Sequence, residues 1–111
     1  MKPLSACCIV LLGVAAGSAY AQSARAPKEG QQVFDRWCAP CHGRAAHLPG
    51  TSSLTLKYKG RMPGALEDRR DLTRVAVKTF VRQGSFAMAP FRKTEIDDSQ
   101  LESLATYLAR R

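Results

Sequence analysis

The chain has 111 residues, 45% hydrophobic and 23% charged, with 17 Lys and Arg against 9 Asp and Glu, for a formal net charge of +8. That length holds one small domain and excludes a multidomain chain. Neither an internal repeat nor a low-complexity segment occurs in it, which excludes repeat arrays.

Residues 1–21 have the pattern of a cleaved secretory signal. Met1-Lys2-Pro3 is a basic start, an apolar stretch runs from Leu4 to Ala16, and Ser18-Ala19-Tyr20-Ala21 closes on an A-x-A-like site. The apolar stretch falls short of the ~20 residues of a spanning helix, so membrane contact is expected only through the export signal. Leu4-Ser5-Ala6-Cys7 looks superficially like a lipoprotein signal, but its hydrophobic run follows the cysteine instead of preceding it. Cleavage after Ala21 removes Cys7 and Cys8 and leaves only Cys38 and Cys41. The expected product is a periplasmic protein of residues 22–111 without a disulfide.

Gln22 to Pro27 is expected to be a mobile lead-in. A first helix is predicted from Lys28 to Cys41, with Val33, Phe34 and Trp37 at helical spacing. Gly30 lies inside it, where glycine costs up to ~1 kcal/mol relative to alanine, so a close approach by another helix is expected there.

That helix ends on Cys38-Ala39-Pro40-Cys41-His42. A C-x-x-C-H run is the attachment motif of c-type haem. Two thiols three positions apart on one turn can each add to a vinyl group of the macrocycle, and the next residue aims its imidazole at the iron. A thioredoxin-like dithiol would need a βαβ pattern nearby, which is missing. Structural zinc would need four ligands, and beyond this motif only His47 remains outside the leader. The site residues are therefore Cys38, Cys41 and His42, holding one haem c through two thioethers. A chain this small needs a staple, so the fold should depend on the cofactor.

Gly43 to Pro63 has loop composition. Asp71 is expected to cap a helix over Leu72 to Gln83, with Gly84 just past its end and Leu72, Val75, Ala76, Thr79 and Phe80 as its buried face. Ser85 to Glu95 is irregular. Asp97-Asp98-Ser99-Gln100 opens a final helix like a capping box. Leu101, Leu104, Ala105 and Leu108 form its buried stripe, with Arg110 and Arg111 at its C-terminal end.

Gly30 and Phe34 ahead of Cys38, together with Leu104-Ala105-Thr106-Tyr107-Leu108 in the closing helix, resemble a class I cytochrome c over Lys28 to Arg111. The resemblance implies an all-α fold in residues 28–111, its first and last helices crossing at the glycine with aromatic contacts around them. Pro49-Gly50-Thr51, Lys57-Tyr58-Lys59-Gly60 and Pro90-Phe91-Arg92-Lys93-Thr94-Glu95-Ile96 resemble, more narrowly, cytochrome subunits of flavoprotein hydroxylases acting on 4-alkylphenols such as 4-cresol or eugenol.

On that resemblance, His42 binds iron through Nε2 and donates Nδ1–H to a carbonyl of Leu48 or Pro49. Met88 is the expected sixth ligand, in the irregular segment before the last helix, although Ala89 stands where related subunits commonly carry proline. Met62 and His47 are the alternatives. Thioether ligation raises the potential relative to two imidazoles and closes the iron to small molecules. The implied function is one-electron transfer with no catalysis. A flavoprotein is the expected donor, and the alternatives are a free shuttle or a ligand-binding or peroxidatic protein with an open iron.

Export and the haem motif exclude nucleic acid as the cause of the basic charge. Lys57, Lys59, Arg61, Arg92 and Lys93 are expected near the haem edge, facing an acidic redox partner. Tyr58, Arg61 and Arg82 are candidate donors to the haem propionates. Phe34, Tyr58, Phe80, Phe86, Phe91 and Tyr107 are expected to shape the core and the haem crevice.

Overall fold

The computed structural model describes residues 26–109; the expected signal, residues 22–25 of the lead-in, Arg110 and Arg111 lie outside the described residues. Helix α1 spans residues 26–42. It widens into a π-helical turn at Phe34–Cys38 and closes as a regular turn at Ala39–His42. Helix α2 is Pro49–Tyr58, a 3-10 turn follows at Leu66–Asp68, α3 is Arg74–Gln83 and α4 is Asp98–Ala109. Among the described residues the only β feature is an isolated bridge between Ser85 and Met88. The fold is all-α among the described residues, as expected from sequence.

The core is the crossing of α1 with α4. A Cβ at Gly30 would strike the Ser103 carbonyl oxygen and sit 2.6 Å from Tyr107 Cβ, so only glycine lets the two backbones meet. Around that point Phe34 tilts against Tyr107 with ring centroids 5.9 Å apart, and Trp37 meets Phe91 edge-on at 5.9 Å. Ile96, Leu104 and Ala105 are fully enclosed. Each such leucine or isoleucine contributes ~1.5–3 kcal/mol relative to exposure. The π-helical turn, marked by the Ala39 N–H donating to Phe34 O, places Phe34 and Cys38 together on this buried side.

Helix α4 starts as the sequence indicates. Asp97 Oδ1 accepts from the Gln100 N–H at 2.8 Å and Gln100 Oε1 accepts from the Asp97 N–H at 3.0 Å, a reciprocal capping box. Leu101, Leu104, Ala105 and Leu108 are buried as expected.

Three expectations are corrected. Helix α1 begins at residue 26, so Ala26 and Pro27 are already helical; proline is at home in a first turn, where its missing N–H has no partner to lose. The segment 43–63 contains α2, which opens with Leu48 extended and Pro49 in the first turn. In α3 the cap is Thr73, whose Oγ1 accepts from the Ala76 N–H at 3.1 Å, and the helix begins at Arg74. Asp71 instead pairs with Arg69.

The buried face of α3 also differs from the expected one. Val77 and Val81 close against the core, while Val75, Thr79 and Phe80 are exposed. The helix is apolar on two sides at 100° per residue, and the packing uses the side carrying Val77 and Val81.

Arg82 fixes the chain between α3 and α4. It donates to Phe91 O at 3.2 Å, to Ile96 O at 2.9 Å and to Asp98 Oδ1 at 3.0 Å. Its guanidinium is thus engaged by the loop backbone and Asp98, not held free for a propionate.

Candidate cofactor-attachment site

Cys38, Cys41 and His42 all lie on the C-terminal end of α1, as the spacing requires. Cys38 is buried and Cys41 exposed. Burial, with the neighbouring Cys41 adding to it, pushes the Cys38 thiol up to about 12, so that sulfur stays protonated at neutral pH. His42 is half-buried, and burial holds its imidazole below the usual histidine value. The neutral ring is the form that binds a metal.

The N-terminus of α2 packs against that ring. A Cβ at Gly50 would sit 2.5 Å from His42 Cε1 and 2.6 Å from Nδ1, so the glycine is a cradle that a side chain would fill. Thr51 Oγ1 donates to Gly43 O at 2.6 Å and lies 3.5 Å from Cys41 O, tying α2 to the carbonyls at the end of the motif. Gly64 packs in turn on Thr51 and Thr55.

The bond expected from His42 Nδ1 to Leu48 or Pro49 is absent. Nδ1 is buried without a hydrogen-bond partner, while Leu48 O accepts from the Ser52 N–H at 2.9 Å and Pro49 O from Ser52 Oγ at 3.2 Å. The opening turn of α2 has turned both carbonyls to its own backbone and side chains. With the Nδ1–Cε1 edge laid on Gly50, Nε2 is the nitrogen left to serve as ligand.

Met88 lies on a different element, the turn that follows α3. Ser85 and Met88 exchange backbone bonds, Ser85 N–H to Met88 O at 2.9 Å and Met88 N–H to Ser85 O at 2.5 Å. Gly84, at φ +71°, has no room for a side chain against Met88 O and Pro90. Met88 itself is half-buried, and Phe86 at the tip of the turn is fully exposed. Met62 is half-buried too, with its sulfur 3.9 Å from Arg69 Nη2; His47 is exposed in the loop before α2.

Arg69 was not singled out by the sequence. Its side chain is only 6% exposed. It donates to Asp71 Oδ1 from Nε at 2.8 Å and to Oδ2 from Nη2, and its guanidinium carbon lies 4.7 Å from the Tyr58 ring centre. Hydrogen bonding to Asp71 raises the arginine above its ordinary value and holds the carboxyl below its own. Arg61, one of the expected propionate donors, is exposed and reaches only Tyr58 O, at 3.4 Å. The buried cation beside Tyr58 is Arg69. No sequence signal distinguishes Arg69 from its neighbour Arg70.

Large apolar side chains are also left uncovered elsewhere on the fold. The outer face of α3 leaves Val75 at 74% and Phe80 at 50% exposure, and Leu56 on α2 and Phe86 are also exposed. Two thiols, a neutral imidazole and uncovered apolar side chains are the donor set and the surface that a covalently tethered macrocycle requires. Among the described residues no group of three or more His, Cys, Asp or Glu could hold a metal ion by itself. No helix among them is long and apolar enough to cross a membrane.

Residues 25–108 match the family model described as cytochrome c oxidase, cbb3-type, subunit III. No curated protein and no solved structure matches the chain.

Proposed function

From the premise that this chain belongs to the cbb3-type cytochrome c oxidase subunit III family of cytochrome c domains, and is thus a haem electron-transfer protein of class I, we propose that it carries single electrons in the periplasm on one haem c ligated by His42 and Met88. Cys38 and Cys41 hold the macrocycle. The carrying observation is the C-x-x-C-H run at the end of α1, with its imidazole laid against Gly50. When bound, the haem supplies an iron that exchanges one electron without bond cleavage or proton transfer.

The chain's own residues set the conditions. Gly50 fixes the ring of His42 in one orientation and so directs Nε2. The Ser85–Met88 bridge and Gly84 hold the Met88 backbone in one tight turn. Arg82 ties the segment beyond that turn to α3. Arg69, buried beside Tyr58 and paired with Asp71, is proposed as a propionate donor in place of the exposed Arg61.

The proposed donor is a flavoprotein of the alkylphenol hydroxylase type, supported by the segments at 49–51, 57–60 and 90–96. A reduced flavin holds two electrons, so each is accepted in a separate one-electron step and passed on before the next. An acidic redox protein is the proposed counterpart of the basic surface.

Met88→Ala tests the ligation. The variant should lose the weak red charge-transfer band of thioether-bound ferric haem and have a lower potential. An unchanged spectrum and potential would move the ligand to Met62 or His47. Rapid binding of carbon monoxide by the unmutated ferrous protein would favour an open iron instead.

A further inference from the structure

The segment leaving α3 is fastened back onto it at two points. Gly84 N–H donates to Phe80 O at 2.8 Å, and Phe91 N–H donates to Val81 O at 2.8 Å. Residues 84–91 thus form a loop with both ends on the last turn of α3, and Met88 lies inside it. Phe91 is held from two further directions. Its ring stands edge-on against Trp37, the residue before Cys38, and its carbonyl accepts from Arg82 Nη1. The same guanidinium reaches Ile96 O and Asp98 Oδ1 through Nη2. Lys93, expected from sequence near the haem edge, pairs with Asp98 at this junction.

The loop needs that outside support. Phe86 has φ 25°, in the left-handed region that a bulky residue seldom adopts. Its side chain is fully exposed, so no packing of the ring offsets the backbone strain. Such strain persists only where the surroundings over-determine it. The Ser85–Met88 bridge pins one turn from within. The restraint from outside comes at the loop ends, where Arg82 is the side-chain donor.

We propose that Arg82 is a positioning residue for the sixth ligand: by clamping Phe91 O and Ile96 O it keeps the strained 84–91 loop closed and Met88 in place. This deepens the His42 and Met88 ligation reading and rests on it. The planar fork of arginine serves two carbonyls and a carboxylate together, which the single nitrogen of lysine cannot do. Without the clamp the loop opens locally while the α1–α4 crossing stays intact.

The test is the rate at which the ferrous holoprotein binds carbon monoxide, because a closed iron admits the gas only when Met88 has left. Met88→Ala gives the rate of the open site. Thr73→Ala weakens the opposite end of α3 and controls for general destabilisation. Arg82→Gln should bind the gas at least tenfold faster than the unmutated protein and lose part of the red charge-transfer band, while Thr73→Ala stays within twofold. Amide hydrogen exchange should quicken more at Phe91 than at Leu104. Equal rates in Arg82→Gln and Thr73→Ala, or no change in either, overturn the assignment. If Arg82→Gln does not accumulate as holoprotein, Arg82→Lys replaces it. That variant keeps the charge beside Asp98 but loses the fork, so it should still bind at least threefold faster, and an unchanged rate overturns the assignment. Unmutated protein that binds as fast as Met88→Ala overturns the ligation reading itself, a result distinct from slow binding that Arg82→Gln leaves unaltered.

Discussion

The α1–α4 crossing differs from α2 and the outer face of α3 in how its apolar side chains are covered. At the crossing the polypeptide supplies every partner: Gly30 admits Ser103 and Tyr107, Phe34 meets Tyr107, and Leu104 and Ala105 are sealed off. Away from the crossing, α3 presents a second apolar face that no described helix covers, α2 offers Leu56 to solvent, and His42 holds a nitrogen toward Gly50 without a partner. The crossing is finished by sequence alone, and these groups have the chemistry of a surface awaiting a cofactor. The lesson is that exposure in the polypeptide is not evidence of tolerance to change where a covalent plate completes the core.

The sharpest way to break that comparison is a pair of truncations in the holoprotein, followed by denaturant unfolding. Leu104→Ala should lose about 2–5 kcal/mol, as expected for a fully enclosed leucine. Phe80→Ser should lose about 1–3 kcal/mol if the haem covers it, whereas a solvent-facing residue would change stability by no more than about 0.5 kcal/mol. A neutral Phe80→Ser would show that the open face of α3 is simply surface.

Next comes the crossing itself. Gly30→Ala should destabilise by about 1–3 kcal/mol, because the overpacking must outweigh a propensity gain of up to about 1 kcal/mol. Thermal melting reads this directly, and a stabilised variant would mean that α1 and α4 can separate without loss.

Removing the cap of α3 should be milder. Thr73→Ala leaves the Ala76 N–H without its side-chain acceptor and should cost about 1 kcal/mol, while Asp71→Ala should leave the helix start intact. The reverse order would restore the cap to Asp71.

The smallest effect is expected in acid. Asp97, accepting from the Gln100 N–H and the Ser99 hydroxyl, and Asp98, bonded to Lys93 and Arg82, are both held below the ordinary aspartate value of 3.8. A folded value below the unfolded one gives stability that is present above 3.8 and is lost as pH falls through the folded value. Urea titrations across that range should have a shallower pH slope in Asp97→Asn/Asp98→Asn than in the unmutated chain; an identical slope would remove the start of α4 from the acid response.

The parts legible in the sequence are those whose physics is local. The C-x-x-C-H spacing, the D-x-x-Q box of α4, the buried stripe of that helix and Gly84 at the end of α3 each depend on neighbours in the chain, and each is found where expected. Gly30 was legible because glycine inside a helix needs a reason.

Helix α2 was not, because Pro49-Gly50-Thr51-Ser52-Ser53 has the composition of a loop. Its position depends on distant contacts, Thr51 with Gly43 and Gly50 with His42. The phase of α3 was ambiguous because periodicity alone cannot decide between two apolar faces. Arg69 was invisible because its burial depends on Tyr58, Met62 and Asp71, brought together only by the fold.

The central claim is that a haem fixed through Cys38 and Cys41 covers apolar surface left open away from the crossing. The most direct measurement is the intact mass of protein from an export-competent host, taken after denaturation in acidified acetone. The account predicts a polypeptide carrying the mass of one haem, and a Cys38→Ser/Cys41→Ser variant without it. A colourless chain at its bare polypeptide mass, with the pigment left in the solvent, would contradict it.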